Sequence, residues 1–150
     1  VLALAGCHGS QKPGPPPPPP APELTFRRLD AQQQRLVADY EPVSRALTAY
    51  EIAYRDRHGL TAQTSAFRRV VVSALARVRR DRADGDTARA KALLISALES
   101  RATALGRAPG SAGYASAWSR SVVDARRALT LMQDIRDRAR LIPLPEDSIS

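Results

Sequence analysis

The sequence predicts an all-α protein: an antiparallel up-down bundle of about four helices behind a disordered, proline-rich N-terminal spacer. Three observations predict it. Proline crowds the first residues, with an unbroken run from Pro15 to Pro20, and then almost disappears. From Leu24 onward alanine and arginine dominate, and no stretch alternates apolar and polar residues with the period of two that a half-buried strand needs. Apolar residues recur instead in steps of three and four, which line one face of a helix.

The most regular seam runs through Phe26, Leu29, Gln33, Leu36, Tyr40, Val43, Leu47, Tyr50 and Tyr54. Alternating steps of three and four make an a/d pattern of the coiled-coil kind, with Gln33 its one polar interruption. The seam keeps its phase across Pro42, which points to a continuous or mildly kinked helix over residues 24–57. The alternative is a break, with Pro42 at the first position of a second helix. Gly59 ends this helix. Phe67, Val71, Ala74 and Val78 mark the buried stripe of a second, over residues 61–82. The stretch "ADGDTARAK" supplies a turn, with Asp86 as N-cap. Leu94, Ala97, Leu98 and Leu105 line a third helix that stops at Gly106. Tyr114, Trp118, Val122, Ala125, Leu129, Met132 and Ala139 line a fourth over residues 112–140, ended by Pro143 and Pro145. Short connections favour antiparallel neighbours. The organisation is thus residues 1–6 as the end of a signal peptide, 7–23 as a modified cysteine and linker, 24–142 as the helical bundle and 143–150 as a flexible tail.

Residues 8–23 are rich in Gly, Ser, Gln, Lys and above all Pro. Each proline fixes φ and removes an amide donor, so the run adopts polyproline II and acts as a semi-rigid rod reaching on the order of 50 Å. A docking ligand for an aromatic groove is the competing reading. In front of the rod stands the chain's only cysteine, in "LALAGCHGS". The four residues Leu4-Ala5-Gly6-Cys7 resemble the lipobox that closes the signal peptide of bacterial lipoproteins. The resemblance implies that the Cys7 thiol receives diacylglycerol, that the bond after Gly6 is cut, and that Cys7 becomes the acylated, palmitate-bearing amino terminus. The apolar run is far shorter than the roughly 20 residues a membrane span needs, so it reads as the end of an h-region within a longer precursor. Stable anchoring takes two lipid signals, and a diacylglyceryl group supplies two chains at one residue. His8, rather than aspartate, after the cysteine implies sorting to the inner leaflet of the outer membrane, with the bundle facing the periplasm.

The net charge is +8, and Lys12 and Lys91 are the only lysines among 23 basic residues. Arginines gather at Arg27 and Arg28, at Arg77, Arg79, Arg80 and Arg82, and at Arg136, Arg138 and Arg140. In an up-down bundle these three groups share one end, next to the spacer. They either face an anionic membrane, where each cation is worth about 1 kcal/mol, or oppose helix dipoles and stay solvated. Nucleic acid is not expected as a partner: an exported domain does not meet it, and the aromatics lie at core spacing rather than forming stacking platforms.

No catalytic residue, metal site or cofactor is called for. His8 lies in the spacer and His58 at a helix end, and neither has a second histidine at ligand spacing. Asp39 with Glu41 and Asp134 with Asp137 are interleaved with arginine and read as surface ion pairs. There is no Gly-rich phosphate loop and no G-x-S-x-G elbow. Tyr40, Tyr50, Tyr54, Tyr114 and Trp118 read as core with hydroxyls reaching the rim; in an open groove they would be where a partner docks. The tail, with Leu141, Ile142 and Leu144 before Glu146 and Asp147, either covers the end of the bundle or is a docking peptide. Two functional classes survive. One is a non-catalytic interaction, scaffold or pilot-like accessory lipoprotein of the envelope, partnered by an envelope protein, which in plan looks like the accessory lipoproteins of secretion machines. The other is a small-ligand binder or sensor, marked by a pocket at Gln33 and Tyr40.

Overall fold

Proline suits the first turn of a helix, where its missing amide has no partner to lose, and Pro22 opens α1 (Pro22–Asp56). Three more helices follow: α2 (Leu60–Arg80), α3 (Gly85–Leu105) and α4 (Ala112–Ala139). The computed structural model describes residue 9, residues 12–16 and residues 22–139, with the side chains of 22–27 and 139 left out. Cys7, the expected signal-peptide end, most of the expected spacer, the side chains of Phe26, Arg27 and Ala139, Arg140 and the tail therefore lie outside the described residues. Gly9 and residues 12–16 carry no helix or strand and are exposed. Among the described residues every regular element is helical, and no helix is long and apolar enough to cross a membrane.

Pro42 does not interrupt α1, so the continuous reading of the seam holds. Two left-handed residues, Arg57 at φ 53° and Gly59 at φ 63°, reverse the chain into α2. Asp81 stops α2 in an extended conformation, its amide shared between the carbonyls of Arg77 and Val78. Gly106 closes α3, its amide reaching Ala102 and Thr103. Asp84, not Asp86, is the N-cap of α3, because the helix already begins at Gly85. Asp86 sits in the first turn, where its charge favours the positive end of the helix.

The antiparallel path is fixed by contacts at both ends. At one end Gln32 of α1 meets Asp84 before α3, and Arg136 of α4 meets Gln33 of α1. At the other, Tyr50 of α1 stacks on Trp118 of α4 at 5.6 Å between centroids. Leu36, Val43, Phe67, Val71, Leu94, Leu98 and Met132 form the apolar interior. Helices α3 and α4 approach each other most closely, α1 lies on α2, and α1 comes near α4 at few points. Side-chain size explains the difference. Ala90, Ala97, Ala104, Ala125 and Ala128 are buried on α3 and α4 and let those backbones close up, whereas tyrosines and a tryptophan hold α1 off α4.

That spacing also corrects one member of the α4 stripe. Leu129 is 53% exposed. The buried row steps instead through Tyr114, Ser121, Ala125, Ala128, Met132 and Ile135. Leu129 follows Ala128 by one residue, a turn of about 100° away from that row.

Candidate functional site

The expected basic cluster is largely neutralised where it is described. Arg28 and Arg82 each lie 3.7 Å from Asp84, Arg77 is 3.2 Å from Asp39, Arg136 is 4.0 Å from Asp30 and Arg138 is 3.0 Å from Asp86. Arg79 pairs with Glu99. Among the described residues only Arg80 of this group has no acidic partner. The structure thus brings Arg28, Arg82, Arg136 and Arg138 to one end of the bundle, but inside a net of carboxylates, while Arg77 and Arg79 pair further along it. Arg27 and Arg140 are outside the described side chains.

Two glutamines organise this end. Gln32, 2% exposed, donates from Nε2 to the Asp84 carboxylate at 2.8 Å and accepts the Asp84 amide at 2.9 Å. The bond from Gln32, helped by Arg82 and Arg28, holds the Asp84 carboxyl below the usual carboxylate range. Gln33, 1% exposed, accepts from Arg136 Nε at 3.2 Å. The polar break in the seam is therefore a satisfied buried amide, and with so little exposure no solvent-sized space opens onto it.

The opposite end is different in chemistry. Tyr50, 1% exposed, stands at its centre, with ring centroids at 5.1 Å from Phe67, 5.6 Å from Trp118 and 6.1 Å from Tyr54. Tyr114 stacks on Tyr54 at 5.7 Å and on Trp118 at 5.5 Å. Offset stacks at these distances each add about 0.5 to 1.5 kcal/mol beyond area burial. Instead of reaching the rim, the hydroxyls of Tyr50 and Tyr114 bond each other at 2.9 Å inside the bundle. Only Tyr54 of the trio is exposed. Gly110, at a φ of 77° that favours glycine, lies beside this cluster, where a Cβ would make ordinary contact with the Tyr54 hydroxyl at 3.7 Å. Between α1 and α4 these rings wall an open depression of about 300 Å3, lined by Tyr50, Glu51, Tyr54, Tyr114 and Trp118.

Behind the depression lies a residue that sequence reasoning missed. Arg101 of α3 is 5% exposed; its guanidinium carbon sits 4.2 Å over the Trp118 ring and its Nε donates to Ser121 Oγ at 2.9 Å. Ser121 in turn donates to the Trp118 carbonyl at 2.7 Å. No carboxylate comes within ion-pair reach of Arg101 among the described residues, so the π face of Trp118 serves as its electrostatic partner. Burial pulls its pKa down, and neighbouring groups including Glu51 act the other way. A signal for it existed. Leu94, Leu98, Arg101 and Leu105 are spaced four, three and four, so an arginine occupies a core register position.

Burial pushes the Tyr50 hydroxyl pKa up, and burial with the bond to Tyr50 pushes the Tyr114 hydroxyl up further. A raised folded-state pKa means that the native state holds its protons better than the unfolded chain. This stabilisation is complete below the ordinary tyrosine value of about 10 and falls as pH rises beyond it. The urea midpoint is expected to drop between about pH 9 and about pH 11, and less steeply in Tyr114→Phe. Equal slopes in the two proteins would contradict the assignment.

Among the described residues no group of three His, Cys, Asp or Glu side chains is placed to hold a metal ion. Comparisons with protein-family models, with curated proteins and with solved structures find no match. The candidate site therefore rests on its own geometry.

Proposed function

We propose that the protein is a lipid-anchored, non-catalytic interaction or accessory protein of the bacterial cell envelope, held by diacylglyceryl-Cys7 at the periplasmic face of the outer membrane. The observation that carries this reading is the separation of tether and surface. The spacer enters the bundle at Pro22, the start of α1, whereas the exposed aromatic Tyr54 lies near its other end. At 1.5 Å per residue the two are about 48 Å apart along α1. An anchored chain would therefore offer its open aromatic surface away from the bilayer, where an envelope partner can reach it. Enclosed binding of a small ligand at Gln33 and Tyr40, the rival reading, has less support, since Gln33 is sealed and hydrogen-bonded.

The test is intact mass and membrane fractionation of the full-length precursor beside Cys7→Ser. The wild type is expected to be cut before Cys7, to gain a lipid mass and to float with membranes, and the variant to do none of these. In anchored wild type, a photo-crosslinking residue at Tyr54 is expected to trap a discrete envelope protein. Two soluble, unmodified forms would overturn the anchor and the envelope location with it.

A further inference from the structure

We infer that the groove between α3 and α4 is the docking site of this chain's own segment 141–147, "LIPLPED", turned back along α4. The groove is open, with a volume of about 430 Å3. Its apolar side chains are Leu93 of α3 and Val123 and Leu131 of α4, with Val123 45% exposed. Arg89, Arg126 and Arg127 line it too, against a single carboxylate, Asp134. Arg89 lies 3.6 Å from Asp86 and Arg127 reaches Asp124 only at 4.0 Å, while Arg126 has no acidic partner among the described residues. Apolar side chains among cations suit a segment that is both apolar and acidic. Segment 141–147 has that composition: Leu141, Ile142 and Leu144, then Glu146 and Asp147.

The lengths agree with the chemistry. Helix α4 ends at Ala139. Measured back from there at 1.5 Å per residue, Leu131 is about 12 Å away, Arg127 about 18 Å, Arg126 about 20 Å and Val123 about 24 Å. Pro143 and Pro145 fix φ and exclude helix, so an extended segment gains about 3.1 Å per residue, which puts Leu144 about 16 Å, Glu146 about 22 Å and Asp147 about 25 Å beyond Ala139. Reversing the chain takes up about one residue of that reach. Leu144 then falls beside Leu131, and the two acids pass Asp134 and come to rest beside Arg127 and Arg126. Since the segment is tethered, its effective concentration is on the order of 1 mM, and so small a contact is populated without high intrinsic affinity. A second copy fits less well. Three apolar side chains fall far short of the roughly 800 Å2 per partner that a stable dimer buries, and two such grooves face to face would oppose their arginines.

The inference goes beyond the envelope role and does not depend on acylation, so the full 150-residue chain tests it, with Cys7→Ser and a nitroxide on Ser148→Cys. Paramagnetic broadening of backbone amides is expected to be strongest around Val123, Arg126 and Arg127 of α4 and Leu93 of α3, and weakest on α2, which makes no close approach to α4. Arg126→Glu with Arg127→Glu, both exposed positions, is expected to lower the docked-to-free ratio roughly tenfold, and adding Glu146→Arg with Asp147→Arg to restore it. Leu144→Ser lies beyond α4, leaves the bundle folded, and is expected to weaken docking as well. Broadening confined to residues 132–139, or spread evenly over the surface, overturns the inference. So does broadening that survives both the arginine reversal and Leu144→Ser. Broadening that arises only between a nitroxide-bearing molecule and a separate, isotope-labelled one gives the groove to a second copy and overturns docking within the chain.

Discussion

Tyr50→Ala is expected to remove about 3 to 5 kcal/mol of stability, the range for truncating a fully buried aromatic. With a total of only about 5 to 15 kcal/mol for a domain, that is a third or more of what holds the bundle together. The size follows from position. Tyr50 is 1% exposed and touches rings from every other helix that reaches this end except α3: Phe67 on α2, and Trp118 and Tyr114 on α4. Because α1 approaches α4 at few points, no neighbouring backbone stands ready to collapse into the space. Tyr50→Phe separates the two parts of the effect. It keeps the packing but strands the Tyr114 hydroxyl in a residue 8% exposed, at a cost of about 1 to 3 kcal/mol. Urea unfolding followed by Trp118 fluorescence measures both. A loss below about 1 kcal/mol for Tyr50→Ala would mean that the aromatic end is not cooperative with the rest of the bundle.

Spacing made the helices legible, and size and partner choice decided what spacing could not. The α2 stripe of Phe67, Val71, Ala74 and Val78 is buried residue for residue, because four apolar side chains at helical intervals have one way to leave water together. On α4 the same rule misplaced Leu129, since Ala128, one residue earlier, is small enough to face the closely packed α3. Asp86 reads as a cap in the sequence because "ADGDTARAK" supplies a turn and aspartate is a favoured N-cap residue. Asp84 holds that position without a side-chain cap bond of its own, its amide and its carboxylate both bonded to Gln32, 52 residues away. Gln33 could be read as a polar break but not as half of a bond to Arg136, 103 residues distant. The candidate site was half legible for a similar reason. Its aromatics share the a/d seam with aliphatic residues and look like core, and only the three-dimensional gap between α1 and α4 turns Tyr54, Trp118 and Glu51 into a wall.

Arg101 yields the second large prediction, and its sign differs between two variants. A guanidinium buried without a carboxylate has given up hydration worth several kcal/mol. Against that stand the contact with Trp118, about 0.5 to 2 kcal/mol, and the charged hydrogen bond to Ser121, about 1.5 to 3 kcal/mol. The two sides nearly cancel. Arg101→Met keeps much of the volume and removes the charge, and Ser121 retains its bond to the Trp118 carbonyl at 2.7 Å, so no buried hydroxyl is orphaned. The methionine variant is therefore expected to be as stable as the wild type or more so, by up to about 2 kcal/mol. Arg101→Ala leaves a hole under Trp118 and is expected to cost about 2 to 5 kcal/mol, as large-to-small changes in a core do. Urea midpoints of the three proteins decide. If methionine is as damaging as alanine, the cation itself, and not the volume it fills, holds Trp118 in place. If methionine is tolerated, the charge is dispensable for folding, and Arg101 supports Trp118 by the volume it fills beneath the ring.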